Sequence, residues 1–224
     1  ALPLTASLTD GELFQTTFRI DRASLSASRG PVRFTLGRQP VTFGQGQMFT
    51  PLDLVAPFTP TTLDNSYKPG VDAARVDLFL GMSGRISAVA AYLGQWGPEG
   101  SAFVVQGQGT IVTVDLGGFV GSVYGDAVLG ASLYAPIGPI GLYGDLALTI
   151  DDEDPDFRGT VGVLARPGPT TTVVVEVYGQ SFGTQDPAEY LVEGGDERHQ
   201  RGELWLSGHL YAAVAVSQEI TPLV

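Results

Sequence analysis

Hydrophobic and polar residues alternate along most of this chain. From Glu12 onward Phe14, Thr16, Phe18 and Ile20 fall on one face and Gln15, Thr17, Arg19 and Asp21 on the other. Val32, Phe34 and Leu36 alternate with Arg33, Thr35 and Gly37; Ala74, Val76, Leu78 and Leu80 with Arg75, Asp77 and Phe79; Ile86, Ala88, Ala90 and Tyr92 with Arg85 and Ser87. A period of two is the signature of a strand with two unlike faces. Similar segments follow at about 103–111, 114–124, 127–135, 142–150, 158–166, 172–180 and 204–216. The pattern predicts eleven strands, or twelve if Ala1 to Leu8 is the end of another. No segment keeps a helical period over a useful length. The alternation slips at Arg38-Gln39-Pro40, where proline cannot donate to a ladder and a bulge or strand edge is expected.

Between the strands, loop length alternates. Short turns are expected near 26–31, 82–84, 112–114, 136–140 and 167–169, and longer connections at 45–70, 97–101, 151–157 and 182–202, with the short link at Gly125-Asp126 a weak member of the long set. Outer-membrane barrels sort their connections this way, with short periplasmic turns and longer outer loops. The strands reach about ten residues, enough to cross a bilayer at a tilt. The expected fold is therefore a single all-β domain over 1–224, an antiparallel up-and-down transmembrane β-barrel of about twelve strands. A soluble barrel or sandwich has the same alternation with its apolar face inward, and the alternation alone does not separate the two.

Composition sharpens this. Charged residues make up 16% of the chain, against ~25% in a typical soluble domain. The longest uncharged run, Ala127 to Gly144, carries Pro136, Gly138, Pro139 and Gly141, which suit a turn and break a transmembrane helix. Cysteine is absent, so disulfides and thiolate metal sites are excluded. Lys68 is the single lysine, and the net charge of −12 leaves no basic patch for a nucleic acid.

The longest loop, Gln45 to Gly70, is poor in charge but holds Met48, Phe49, Leu52, Leu54, Val55 and Phe58. A floppy linker is polar, so this loop is expected to fold back into the inside or rim of the barrel. Around it run Gly37-Arg38-Gln39, Phe43-Gly44-x-Gly46, Phe49-x-Pro51-x-Asp53 and Tyr67-Lys68-Pro69-Gly70-Val71-Asp72-Ala73. This series resembles a family of bacterial outer-membrane porin-like barrels over about a sixth of the chain. The resemblance implies fold and an outer-membrane location more than it implies cargo. The chain begins within a strand and ends Thr221-Pro222-Leu223-Val224, like a turn before another strand, so a complete barrel of more than twelve strands is expected.

Candidate pore-lining residues are Arg19, Asp21, Arg33, Arg75, Asp77, Arg85, Asp145, Arg158, Arg166 and Glu176. Such a set either gives the lumen its selectivity or forms internal salt bridges that brace and partly plug it. Arg38 is a candidate loop anchor through Asp53, Asp64 or Asp72. The acidic run Asp151 to Asp156 lacks the glycine and distal glutamate of a calcium loop and reads as a solvated loop. His209 shares a strand face with Ser207, but no acidic partner or oxyanion element accompanies them, so no enzyme is expected. Phe43, Trp96 and Tyr124 fall near strand ends, where an aromatic belt or ordinary packing places them. No cofactor or metal is indicated. The expected function is porin-like passage of small hydrophilic solutes across the outer membrane, with the lipid bilayer as surroundings and a homo-oligomer or protein partner possible. The rival functions are a non-conducting outer-membrane scaffold for partners and a soluble all-β binding domain.

Overall fold

The computed structural model describes residues 5–10, 15–55, 68, 70–150, 155–186, 188, 190, 198 and 204–219, with backbone only for 5–10 and 15–19. The strands are β1 (Thr5–Asp10), β2 (Gln15–Arg19), β3 (Ala23–Arg29), β4 (Val32–Gln39), β5 (Val71–Leu80), β6 (Gly84–Tyr92), β7 (Ser101–Ile111), β8 (Val114–Val123), β9 (Asp126–Ile137), β10 (Ile140–Ile150), β11 (Asp156–Ala165), β12 (Thr171–Gln180) and β13 (Leu210–Gln218). Strands β3 to β13 form one eleven-stranded antiparallel sheet in strict chain order, and β1 pairs only with β2. No described helix is long and apolar enough to cross a membrane.

Two expectations change. A closed barrel was expected, but among the described residues β3 and β13 are the two edges of an open sheet. The stretch from Glu12, read as one strand, is two, because residues 20–22 leave the ladder. There Arg38 Nη1 donates to the Ile20 carbonyl (2.9 Å), Gly70 N–H donates to the Asp21 carbonyl (3.2 Å) and Arg22 Nε donates to the Lys68 carbonyl (3.1 Å). Tertiary partners thus replace the strand neighbours of this link. At Arg38-Gln39 the ladder to β5 continues without a register shift, so the strand simply ends before Pro40.

The alternation of connections is present: the links β3–β4, β5–β6, β7–β8, β9–β10 and β11–β12 join strands at one end of the sheet, and the links β4–β5, β6–β7, β8–β9, β10–β11 and β12–β13, longer except at 124–125, join them at the other. Val112 occupies a left-handed conformation (φ 60°) in one two-residue turn, a strained position for a β-branched side chain.

The chain after β4 turns back against one face of the sheet, which we call the inner face. Val41, Phe43, Leu52, Leu54 and Val55 form one buried cluster with Val71, Ala73, Val89, Ala91, Ala102, Val104, Phe119, Val123, Val128 and Ala147. Those partners come from β5 through β10, so the sheet curls around the loop. The expected inward-folded loop is observed for 41–55; residues 56–67, including Phe58 and Asp64, lie outside the described part.

The two faces of the sheet differ in kind. Outward positions are apolar and exposed: Leu142, Val163, Val175 and Val214 make one continuous row across four strands. Inward positions are buried; beside the apolar cluster under the loop they are polar: Thr35, Asp77, Ser87, Gln106, Ser132, Asp145, Thr149, Arg158, Thr160, Glu176 and Gln180. This is the reverse of a soluble sheet, whose apolar face is covered and whose polar face meets water.

Candidate functional site: an inner face closed over its own loop

The inner face holds the loop through two carboxylates placed by the two-residue period of β10 and β12. Asp145 accepts from the backbone N–H of Gln45 (2.8 Å) and Gly46 (2.8 Å). Glu176, with no exposed surface, accepts from the N–H groups of Gln47 (2.6 Å), Met48 (2.9 Å) and Phe49 (2.7 Å) and from the Tyr143 hydroxyl (2.6 Å). Five successive amides therefore point at two side chains about a hundred residues away. Successive N–H groups aimed at one carboxylate form an anion nest. A buried carboxylate is tolerable when such charge-assisted bonds replace its water.

The glycines of the Phe43-Gly44-Gln45-Gly46 run now have a reason. A methyl group at Gly44 would collide with the Asp145 carboxylate, and one at Gly46 with the Phe49 carbonyl. Gly162 serves the other carboxylate: it lies between Tyr143 and Glu176 in the ladder, and a side chain there would strike the Tyr143 ring. The tyrosine can thus reach across β11 to β12.

Aromatic contacts fix the loop from both sides. Phe43 packs on Phe119 with ring centroids 4.9 Å apart, and Phe49 on Tyr178 at 5.4 Å. Phe43 is thus an interior residue and no part of an outer aromatic belt. Trp96 instead stands exposed beside Tyr92 (4.9 Å) on the connection after β6, and Tyr124 sits in the turn after β8.

At the loop's ends, Arg38 meets Asp72 through two parallel bonds, Nε to Oδ1 (3.1 Å) and Nη2 to Oδ2 (2.8 Å). Such a fork is the strong geometry for an arginine–carboxylate pair. Gln39 Nε2 donates to the Ala73 carbonyl (3.0 Å). Asp53 pairs with Lys68 rather than with Arg38, at 2.7 Å and almost wholly buried. Burial pushes the Asp53 carboxyl up and the Lys68 ammonium down, and each charge opposes the other's shift. The GRQ run, Lys68 and the Gly70–Ala73 run thus form the neck of the loop.

The remaining candidates are dispersed. Arg75, Asp77 and Arg85 share the inner face of β5 and β6, and Arg33 stands opposite Asp77 in the ladder. Arg158 is buried on the inner face of β11. Asp21 lies in the link after β2, Arg166 is exposed on the connection after β11, and Arg19 belongs to the separate hairpin. Arg198, which sequence reasoning passed over, bonds Asp156 (2.8 Å) and approaches Asp126 (3.9 Å). It ties the connection after β12 to β9 and β11.

His209 Nδ1 contacts the Gln180 carbonyl (2.8 Å), and no described carboxylate is hydrogen-bonded to it. Among the described residues no group of three His, Asp or Glu side chains is close enough to hold a metal. The open space beside the loop is polar: a cavity of about 240 Å³ is lined by Gln45, Gln106, Gln108, Thr110, Asp115 and Ser132, among others.

Compared with known proteins, the chain matches no family model, no curated protein and no solved structure. The porin-like resemblance therefore rests on the sequence motifs around the loop alone.

Proposed function

We propose that this chain forms an outer-membrane β-barrel whose lumen is narrowed by its own loop and passes small hydrophilic solutes. The observation that carries the reading is the polarity of the sheet. Leu146 is 53% exposed while its neighbours Asp145 and Ala147 are buried. Contiguous exposed apolar patches of more than a few hundred Å² mark a surface that meets protein or lipid. Lipid is the partner that suits a whole sheet face of Leu, Val, Ile and Phe. Closure of the sheet belongs to the proposal, because open edges leave N–H and C=O groups unpaired in hydrocarbon.

The second reading, a non-conducting barrel scaffold, is favoured by how tightly the loop fills the interior: Leu52 and Leu54 are each 1% exposed. One experiment tests both. Full-length protein is expressed, extracted and added to planar bilayers. The channel reading expects a need for detergent, heat-modifiable gel migration and discrete conductance steps. A detergent-dependent protein with no conductance selects the scaffold. A monomer soluble without detergent overturns both.

A further inference from the structure

Within that lumen reading, we propose that the inner wall of β4, β5 and β6, at the end of the sheet with the short turns, is a binding site for small polyvalent oxyanions of the phosphate type.

The ladder places the groups. Arg33, Asp77, Ser87 and Gln106 form one row across four strands; Thr35 and Arg75 form the next; Phe79, Arg85 and Gln108 form the row on the other side. Three guanidiniums thus face one carboxylate. The carboxylate is already engaged: Asp77 Oδ1 accepts from Arg75 Nε (2.8 Å) and from the Ser87 hydroxyl (2.6 Å). Arg85 Nε stands 3.9 Å from it, too far for a hydrogen bond, and has no acceptor among the described residues. Its Nη2 donates to Gln108 Oε1 (2.8 Å). Arg33 lies with its guanidinium 5.3 Å from the Phe79 ring centre and is exposed.

Each guanidinium has five N–H donors, and Ser28, Asp77, Ser87 and Gln108 take up a minority of them. The other inner-face acids keep their charge but stand on other strands: Asp145 on β10 and Glu176 on β12 hold the loop amides, and Asp115 on β8 accepts from the Thr110 hydroxyl (2.6 Å). Within a chain of net charge −12, the β4–β6 wall itself carries a net charge of about +2, the balance of those three arginines and Asp77. Arginine forks match the paired oxygens of phosphate-like anions, and Thr35, Ser87 and Gln108 add neutral partners.

The test is calorimetric titration of inorganic phosphate into the full chain in detergent at low salt. Three proteins are compared: the unmodified chain, the Arg33→Gln/Arg85→Gln double variant, and Asp77→Asn. Binding is expected to weaken at least ~10-fold in the double variant and to tighten roughly threefold in Asp77→Asn. A gain in affinity cannot come from misfolding, so the pair keeps the result readable. No phosphate binding by the unmodified chain, or the same affinity in all three, overturns the site. Phosphate binding without conductance leaves the site standing and removes the channel, whereas conductance without phosphate binding does the reverse.

Discussion

The two faces of this sheet are built from the same strands, yet they follow opposite rules. On the inner face nearly every buried polar group has a partner: Glu176 has four donors and Asp145 the backbone of Gln45 and Gly46. On the outer face Leu25, Val161, Val214 and their neighbours stand exposed, with nothing among the described residues covering them. The contrast teaches that the inner face is the one specified by structure within the chain, and the outer face by what surrounds it. A buried acid needs particular donors at particular distances, whereas an outward Val needs only an apolar medium.

The largest effect should come from breaking the inner face. Glu176→Ala leaves the amides of Gln47, Met48 and Phe49 and the Tyr143 hydroxyl without their acceptor. At about 1–3 kcal/mol for each buried donor left unsatisfied, the cost is roughly 4 kcal/mol or more. We expect a lower melting temperature, faster proteolysis within 41–55 and, in bilayers, larger or noisier conductance. Unchanged protease resistance of the loop would show that the carboxylate does not hold it.

Next comes the outer face. Leu146→Arg should destabilise the protein in a lipid bilayer by about 2–4 kcal/mol if the residue sits near the midplane. An exposed substitution in water is usually within about 0.5 kcal/mol of neutral. Reversible unfolding in lipid vesicles measures the difference. A near-zero value would return this face to water and end the contrast.

The smallest effect lies outside both faces. Val112→Gly relieves the left-handed strain of an exposed turn residue and should stabilise by no more than about 1 kcal/mol. Thermal unfolding reads it. A loss of stability would mean that the valine has an outside contact.

Much of the fold was legible because strand alternation and turn residues are local signals. Thr35, Asp77, Ser87 and Asp145 fell on the polar face by counting alone. The choice of which face is inside was not legible in the alternation, since a period of two has no sign; strand length, loop parity and low charge were what pointed the polar face inward. The site was readable in part. The spacing Phe43-Gly44-x-Gly46 and the charged neck residues Arg38 and Asp72 announced a constrained loop. Its real anchors, Asp145 and Glu176, looked like any other lumen charges. They lie about a hundred residues further on and bond to backbone amides, which no side-chain pattern records. Lys68, the lone lysine, was an unused clue to a specific partner, and that partner is Asp53.

The way Tyr143 lies over Gly162 is repeated on neighbouring strands: methyl groups at Gly130 and Gly141 would strike the rings of Phe119 and Tyr134. Each ring from β8, β9 and β10 occupies the space over a glycine of the strand that follows it. The three contacts act like teeth of a ratchet, since sliding any strand by two residues would set a ring against a side chain. Stagger and strand number together set the width and tilt of a closed sheet. In the proposed barrel the bore is thereby written into side-chain shape, and widening it would require replacing the rings and their glycines in pairs.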